Sequence, residues 1–140
     1  MKNFLLCFLI LFACKKKTVP QPKWEWKTLA VTASAYNSVP WQTTNTNPSI
    51  AAWGDTLKPG MKSIAISRDL LKLGLRHNTM VKIDTFSDTF YVMDKMNRKW
   101  RNRIDIYMGL DVKKARQWGK RKLQIQYAVP LDTTTTPKTN

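Results

Sequence analysis

Hydrophobic and polar positions fall into short stretches separated by turn-forming residues. Thr28–Ala35 alternates loosely and is rich in β-branched and small side chains. Lys62–Ile66, Met80–Asp84, Thr89–Met93, Arg103–Met108 and Lys122–Tyr127 are further apolar or alternating runs of strand length. Six strands are therefore predicted, with Phe86-Ser87-Asp88 joining the third and fourth as a hairpin. Two brief helices are predicted as well. Arg68–Leu73 follows Ser67 as a cap and closes at Gly74, and Val112–Trp118 follows Asp111 as a cap and stops at Gly119. Between Asn37 and Pro59, Pro, Asn, Thr and Gly recur without a period, which predicts a long loop. A sheet of this size has to hide its edges, so the expected fold is mainly β, a small closed six-stranded barrel with two short helices.

The ends of the 140-residue chain read differently. Lys2 precedes an unbroken apolar run of nine residues, Phe4 to Phe12. As a helix it would rise only about 14 Å against a hydrocarbon layer of about 30 Å, so it predicts a cleaved signal segment over 1–13 rather than a membrane span. Leu11-Phe12-Ala13-Cys14 has the form of a bacterial lipobox, which makes Cys14 the lipidated first residue of the mature protein. Acyl chains on Cys14 would hold the protein on a membrane. Residues 14–27 are rich in Lys and Pro and read as a tether, residues 28–129 as one domain, and residues 130–140 as a frayed tail.

Charge and residue types narrow the chemistry. Lys and Arg number 24 against 9 acids, a formal charge of +15, which suits anionic partners. Arg98-Lys99-Trp100-Arg101-Asn102-Arg103 would suit nucleic acid, but the export signal argues against that partner. Cys7 lies in the segment to be removed, so no cysteine apart from Cys14 is left for a disulfide, a thiolate nucleophile or a metal site. His77 is the only histidine and follows a helix-closing glycine, which predicts a solvated loop residue and leaves histidine triads and multi-histidine metal sites short of parts. No metal or organic cofactor is expected. Glu25 is the sole glutamate, so carboxylate chemistry falls to the aspartates. Asp94 ends the run Phe90-Tyr91-Val92-Met93, and Asp105 shares one strand face with Tyr107 while Ile104 and Ile106 share the other. Burial would raise the pKa of Asp105 and let it act as a general acid; a pairing with Arg101 or Arg103 in water would do the opposite.

Several motifs in order give the chain a likeness. Thr32-Ala33-Ser34-Ala35-Tyr36 is followed by Ala52-Trp53-Gly54, Ala65-Ile66-Ser67-Arg68, Lys72-Leu73-Gly74, Val92-Met93-Asp94, Arg103-Ile104-Asp105-Ile106-Tyr107-Met108 and Ala115-Arg116-Gln117-Trp118-Gly119. From Thr32 to Tyr127 the chain resembles the three-aspartate (3D) domain, whose relatives include the catalytic domain of membrane-bound lytic transglycosylase A. The eleven-residue interval between Asp94 and Asp105 matches the family's last two aspartates. The family's first aspartate falls on Ser67, with Asp69 two residues later, and its glycine-rich segment is replaced by Lys95–Trp100.

The resemblance implies a double-psi β-barrel that acts on the β-1,4 glycan strands of peptidoglycan. Asp105 would protonate the glycosidic oxygen and then accept the proton of the muramic acid 6-hydroxyl, with Asp94 polarising it. Asp69 would stand in for the missing carboxylate. Ser67, Tyr36 and Trp100 would contact sugar, although Tyr36 and Trp100 also read as half-buried rim aromatics. The protein would be a monomeric envelope lipoprotein, on the periplasmic face of the outer membrane. A non-catalytic peptidoglycan- or envelope-binding module is the alternative.

Overall fold

A computed structural model of the protein describes residues 24–42 and 47–131. The expected signal segment, Cys14, the first part of the tether and the tail from 132 lie outside the described residues. Six strands, β1 (Trp24–Tyr36), β2 (Ser63–Ile66), β3 (Met80–Ile83), β4 (Thr89–Lys95), β5 (Arg103–Tyr107) and β6 (Arg121–Pro130), close into a barrel in the order β1-β5-β2-β4-β3-β6. The sheet is mixed: β1 with β5 and β2 with β4 run parallel, and the remaining pairs run antiparallel. Helix α1 (Val112–Trp118) and a 3-10 turn over Arg68–Leu73 are the two short helices that the pattern predicts, and a second 3-10 turn covers Pro40–Gln42.

The hydrophobic alternation explains the barrel. Ile104 and Ile106 of β5 point inward and are fully buried with Val31, Ala33, Ile64, Ile66, Val81, Val92 and Ile125, so side chains fill the lumen. Arg103, Asp105 and Tyr107 take the outer face by the same alternation. β1 starts earlier than expected, at Trp24, because ten residues pair with β6 from Trp24↔Pro130 to Ala33↔Arg121. Trp24–Lys27 and Pro130 are thus strand, not tether or tail. The exposure of β1 over Trp24–Thr28 leaves no burial alternation for sequence reading to detect.

Two local features differ from the sequence reading. Ser67 does not cap the 3-10 turn; its hydroxyl accepts from the Arg103 amide at 2.9 Å, and its own amide donates to the Arg103 carbonyl at 2.8 Å, which extends the β2–β5 contact. Pairing between β2 and β4 shifts after Ile64↔Val92, so that Ala65 pairs with Asp94 and Met93 is the extra residue of a bulge. Were Met93 paired regularly with Ala65, Asp94 would lie opposite inward-facing Ile66; because Met93 is bulged out of the pairing, Asp94 joins the outer face.

Ile64 sits where three strands meet and has no exposed surface. Ile64→Ala should cost about 2–5 kcal/mol in urea denaturation. A loss under about 1 kcal/mol would show that the lumen is not the stabilising core.

Candidate functional site

The bulge lines up a row across the outer face of four strands. Ser34 on β1 lies opposite Asp105 on β5, Asp105 opposite Ala65 on β2, and Ala65 opposite Asp94 on β4. Two strand spacings separate the aspartate backbones, about 10 Å, with only the Ala65 methyl between them. Above this row lies the long loop: Ala51 and Leu57 pack with Tyr107, Tyr36, Met61 and Met93 in a second apolar cluster outside the barrel. The Ala52 amide donates to Asp94 Oδ1 at 2.7 Å, which fastens the loop to β4, and the Lys95 amide donates to the same oxygen at 2.8 Å within the strand.

Burial under this cover sets the protonation. Loss of water pushes the Asp105 carboxyl above its ordinary value; the Ser34 hydroxyl and the Arg103 guanidinium pull it back, and the Asp94 charge adds to the rise. Asp94 is likewise raised by burial and by Asp55, against the Ala52 and Lys95 amides and the Lys95 charge. Tyr36 is held far above the usual phenol range by burial, then by the charges of Asp94 and Asp105, so it is a neutral hydroxyl. Asp105 Oδ1 is buried and without a hydrogen-bond partner in the protein, and the buried Tyr36 Oη and Ser63 Oγ lie beside each other with no other partner. A carboxyl raised by burial beside a polar atom without a partner has the character of a general acid.

His77 is not the solvated loop residue expected. Its Nε2 lies 2.7 Å from Asp55 Oδ2, and its ring stacks on Trp53 with centroids 5.1 Å apart. Lys95 Nζ sits 4.6 Å from the centroid of the same indole. Loop residues Trp53 and Asp55 are thus clamped by His77 and Lys95 while Ala52 holds Asp94. No spacing rule links residues 22 apart such as these, although Ala52-Trp53-Gly54 stood out in the sequence.

Other expected site residues are placed elsewhere. Ser67 has no exposed surface and spends its hydroxyl on Arg103, so it does not contact a substrate. Asp69 accepts from the Asn102 amide at 2.9 Å; burial pushes its carboxyl up, but that amide, the Ser67 hydroxyl and Arg101 outweigh it and hold it below the ordinary value. It fastens the segment before β5 and is not a member of the Asp94–Asp105 row. Trp100 lies half-buried beneath the Arg103 guanidinium, 3.9 Å from its ring centroid, at the edge of the row. Ser34 and Ser63 join the site without having been singled out, because small polar residues in a strand carry no signal of their own. Among the described residues no group of three or more His, Cys, Asp or Glu side chains is placed to hold a metal ion, and no helix is long and apolar enough to cross a membrane.

Compared with known proteins, the chain matches no protein-family model and none of the curated proteins.

The raised and lowered carboxyls give opposite pH signatures. The folded-state pKa of Asp105 lies above its unfolded value, so folding is disfavoured by the charge once pH rises through it. Asp105→Asn should therefore be more stable than the parent at neutral pH, with the gap closing as pH falls below the ordinary carboxylate range. Asp69→Asn should be less stable at neutral pH, its gap closing as pH falls through the lowered pKa of Asp69. Urea denaturation across pH reads both, and the reverse order would refute the burial assignment. His77→Ala should speed hydrogen exchange of the Ala52 amide on the order of tenfold, the loss of one charge-assisted bond, with Ile104 and Ile106 unchanged. Unchanged exchange at Ala52 would mean the clamp does not hold the loop.

Proposed function

We propose that this protein is a peptidoglycan-active envelope lipoprotein that cleaves β-1,4 glycan strands by a lytic-transglycosylase-like route. The observation that carries the reading is Asp105, a carboxyl raised by burial, with an unpartnered oxygen, on the outer barrel face in one row with Asp94. The resemblance assigns these two positions to the family's last aspartates, and the two parallel pairs in the closed barrel fit a double-psi connection.

In this mechanism Asp105 gives its proton to the glycosidic oxygen as the bond to the anomeric carbon breaks. It then takes the proton of the muramic acid 6-hydroxyl as that oxygen attacks the same carbon, leaving a 1,6-anhydro end. The nucleophile belongs to the substrate, so one carboxyl suffices where ordinary glycosidases use two. Asp94 raises the proton affinity of Asp105 by its charge. Trp100 and Arg103 form the rim on which a sugar face can rest. Lipid on Cys14 holds the domain at the periplasmic face of the outer membrane, and no nucleic acid is involved.

A binding module without catalysis is the second reading. It is favoured by one observation: the position of the family's first aspartate is Ser67, which is buried and spent on the β2–β5 contact.

Incubation of the protein with purified sacculi, followed by mass analysis, separates the two. Anhydromuramic ends are expected, and Asp105→Asn should abolish them, a loss of at least about a hundredfold, while sacculus binding persists. Binding without any anhydromuramic product establishes the module reading instead. Cys14→Ser should move the protein from the membrane to the soluble fraction after export, and unchanged membrane retention would remove the lipidation.

A further inference from the structure

A groove of about 380 Å³ lies between α1 and β1, beginning at Ser34, one strand from Asp105. Its size is within the range of small-ligand sites, about 300–1,000 Å³. Arg116 and Lys120 are its two charged lining residues, no carboxylate lines it, and neither cation has an ion-pair partner among the described residues. Arg103 reaches toward it, donating to Ser34 Oγ at 3.1 Å. This arrangement attracts an anion.

Asn37 adds a second requirement. It lines the groove, is 2% exposed, and its Oδ1 has no hydrogen-bond partner. Its Nδ2 donates to the carbonyls of Met108 and Gly109, both at 3.2 Å. Reversing the amide would set an oxygen against two carbonyls, so the acceptor orientation is fixed. A buried acceptor left unpaired carries a cost that a ligand N–H removes. A sulfate offers only acceptors and leaves Asn37 unsatisfied. An acyl amino acid offers both parts, an amide N–H for Asn37 and a carboxylate for Arg116 and Lys120.

We infer that the α1–β1 groove is a subsite for the peptide that substitutes the glycan, with the peptide carboxylate on Arg116 and Lys120 and a peptide N–H on Asn37. The inference rests on the glycan reading for the identity of the peptide, and it makes the protein selective for strands that still carry their peptides. The groove's position one strand from Asp105 places a peptide branching from a sugar beside that carboxyl.

Binding of muramyl dipeptide to the full chain, measured by calorimetry in detergent, tests it against the peptide-free N-acetylglucosamine–N-acetylmuramic acid disaccharide. The dipeptide should bind at least about tenfold more tightly, and Arg116→Glu with Lys120→Glu should erase that advantage. Lys72→Glu, an exposed charge change on the 3-10 turn away from the groove, should leave it intact. Equal affinity for the two ligands, or a dipeptide preference that survives the double substitution, overturns the subsite. These readouts need no cleavage: dipeptide selectivity without anhydromuramic products keeps the subsite and refutes the enzyme, whereas cleavage indifferent to peptides refutes the subsite alone.

Discussion

One extra residue in β4 decides on which face of the barrel Asp94 lies. Met93 is the bulge that moves Asp94 from the inward position opposite Ile66 to the outward position opposite Ala65. A carboxylate in a lumen of Ile, Val and Leu side chains would have to be neutral or paired, and the filled lumen offers no partner. On the outer face the same carboxylate meets the amides of Ala52 and Lys95. The Ala52 bond ties the long loop to β4, and the loop in turn buries Tyr36 and Tyr107 against Ala51 and Leu57.

The site is therefore a consequence of covering one barrel face. Barrel closure puts Ile104 and Ile106 inside and Asp105 outside, and an uncovered Asp105 would be an ordinary surface anion. The loop packs on the neighbouring Tyr36 and Tyr107 and binds Asp94, and the clamp of Trp53 between His77 and Lys95 steadies the loop. Rigid strands supply position and the loop supplies the low-dielectric surroundings, which together favour the acid form. The polar contacts Ala52–Asp94 and Asp55–His77 join segments far apart in sequence, so the site depends on tertiary pairing and not on any one segment.

Much of this architecture was legible in the sequence where side chains alternate. Ile104, Asp105, Ile106 and Tyr107 announced both the β5 strand and its two faces, and Asp111 and Gly119 marked α1, whose cap bond from the Lys114 amide measures 2.9 Å. Legibility failed where backbone or distant partners decide. Trp24–Lys27 is strand by pairing with β6, although its side chains are exposed, and the Met93 bulge has no residue signature. His77 is in a loop as expected, but its partner Asp55 and stacking partner Trp53 could not be read because they belong to a segment with no period. Ser67 looked available for a ligand because nothing local reveals that the Arg103 amide takes its hydroxyl.

The central claim is that Asp105 holds its proton more tightly than an ordinary aspartate while Asp69 releases it more easily. Carbon-detected NMR titration of the aspartate side-chain carboxyls measures both in one sample. Asp105 should titrate above the ordinary aspartate value and Asp69 below it. An Asp105 carboxyl that titrates at or below the value of Asp69 would contradict the account.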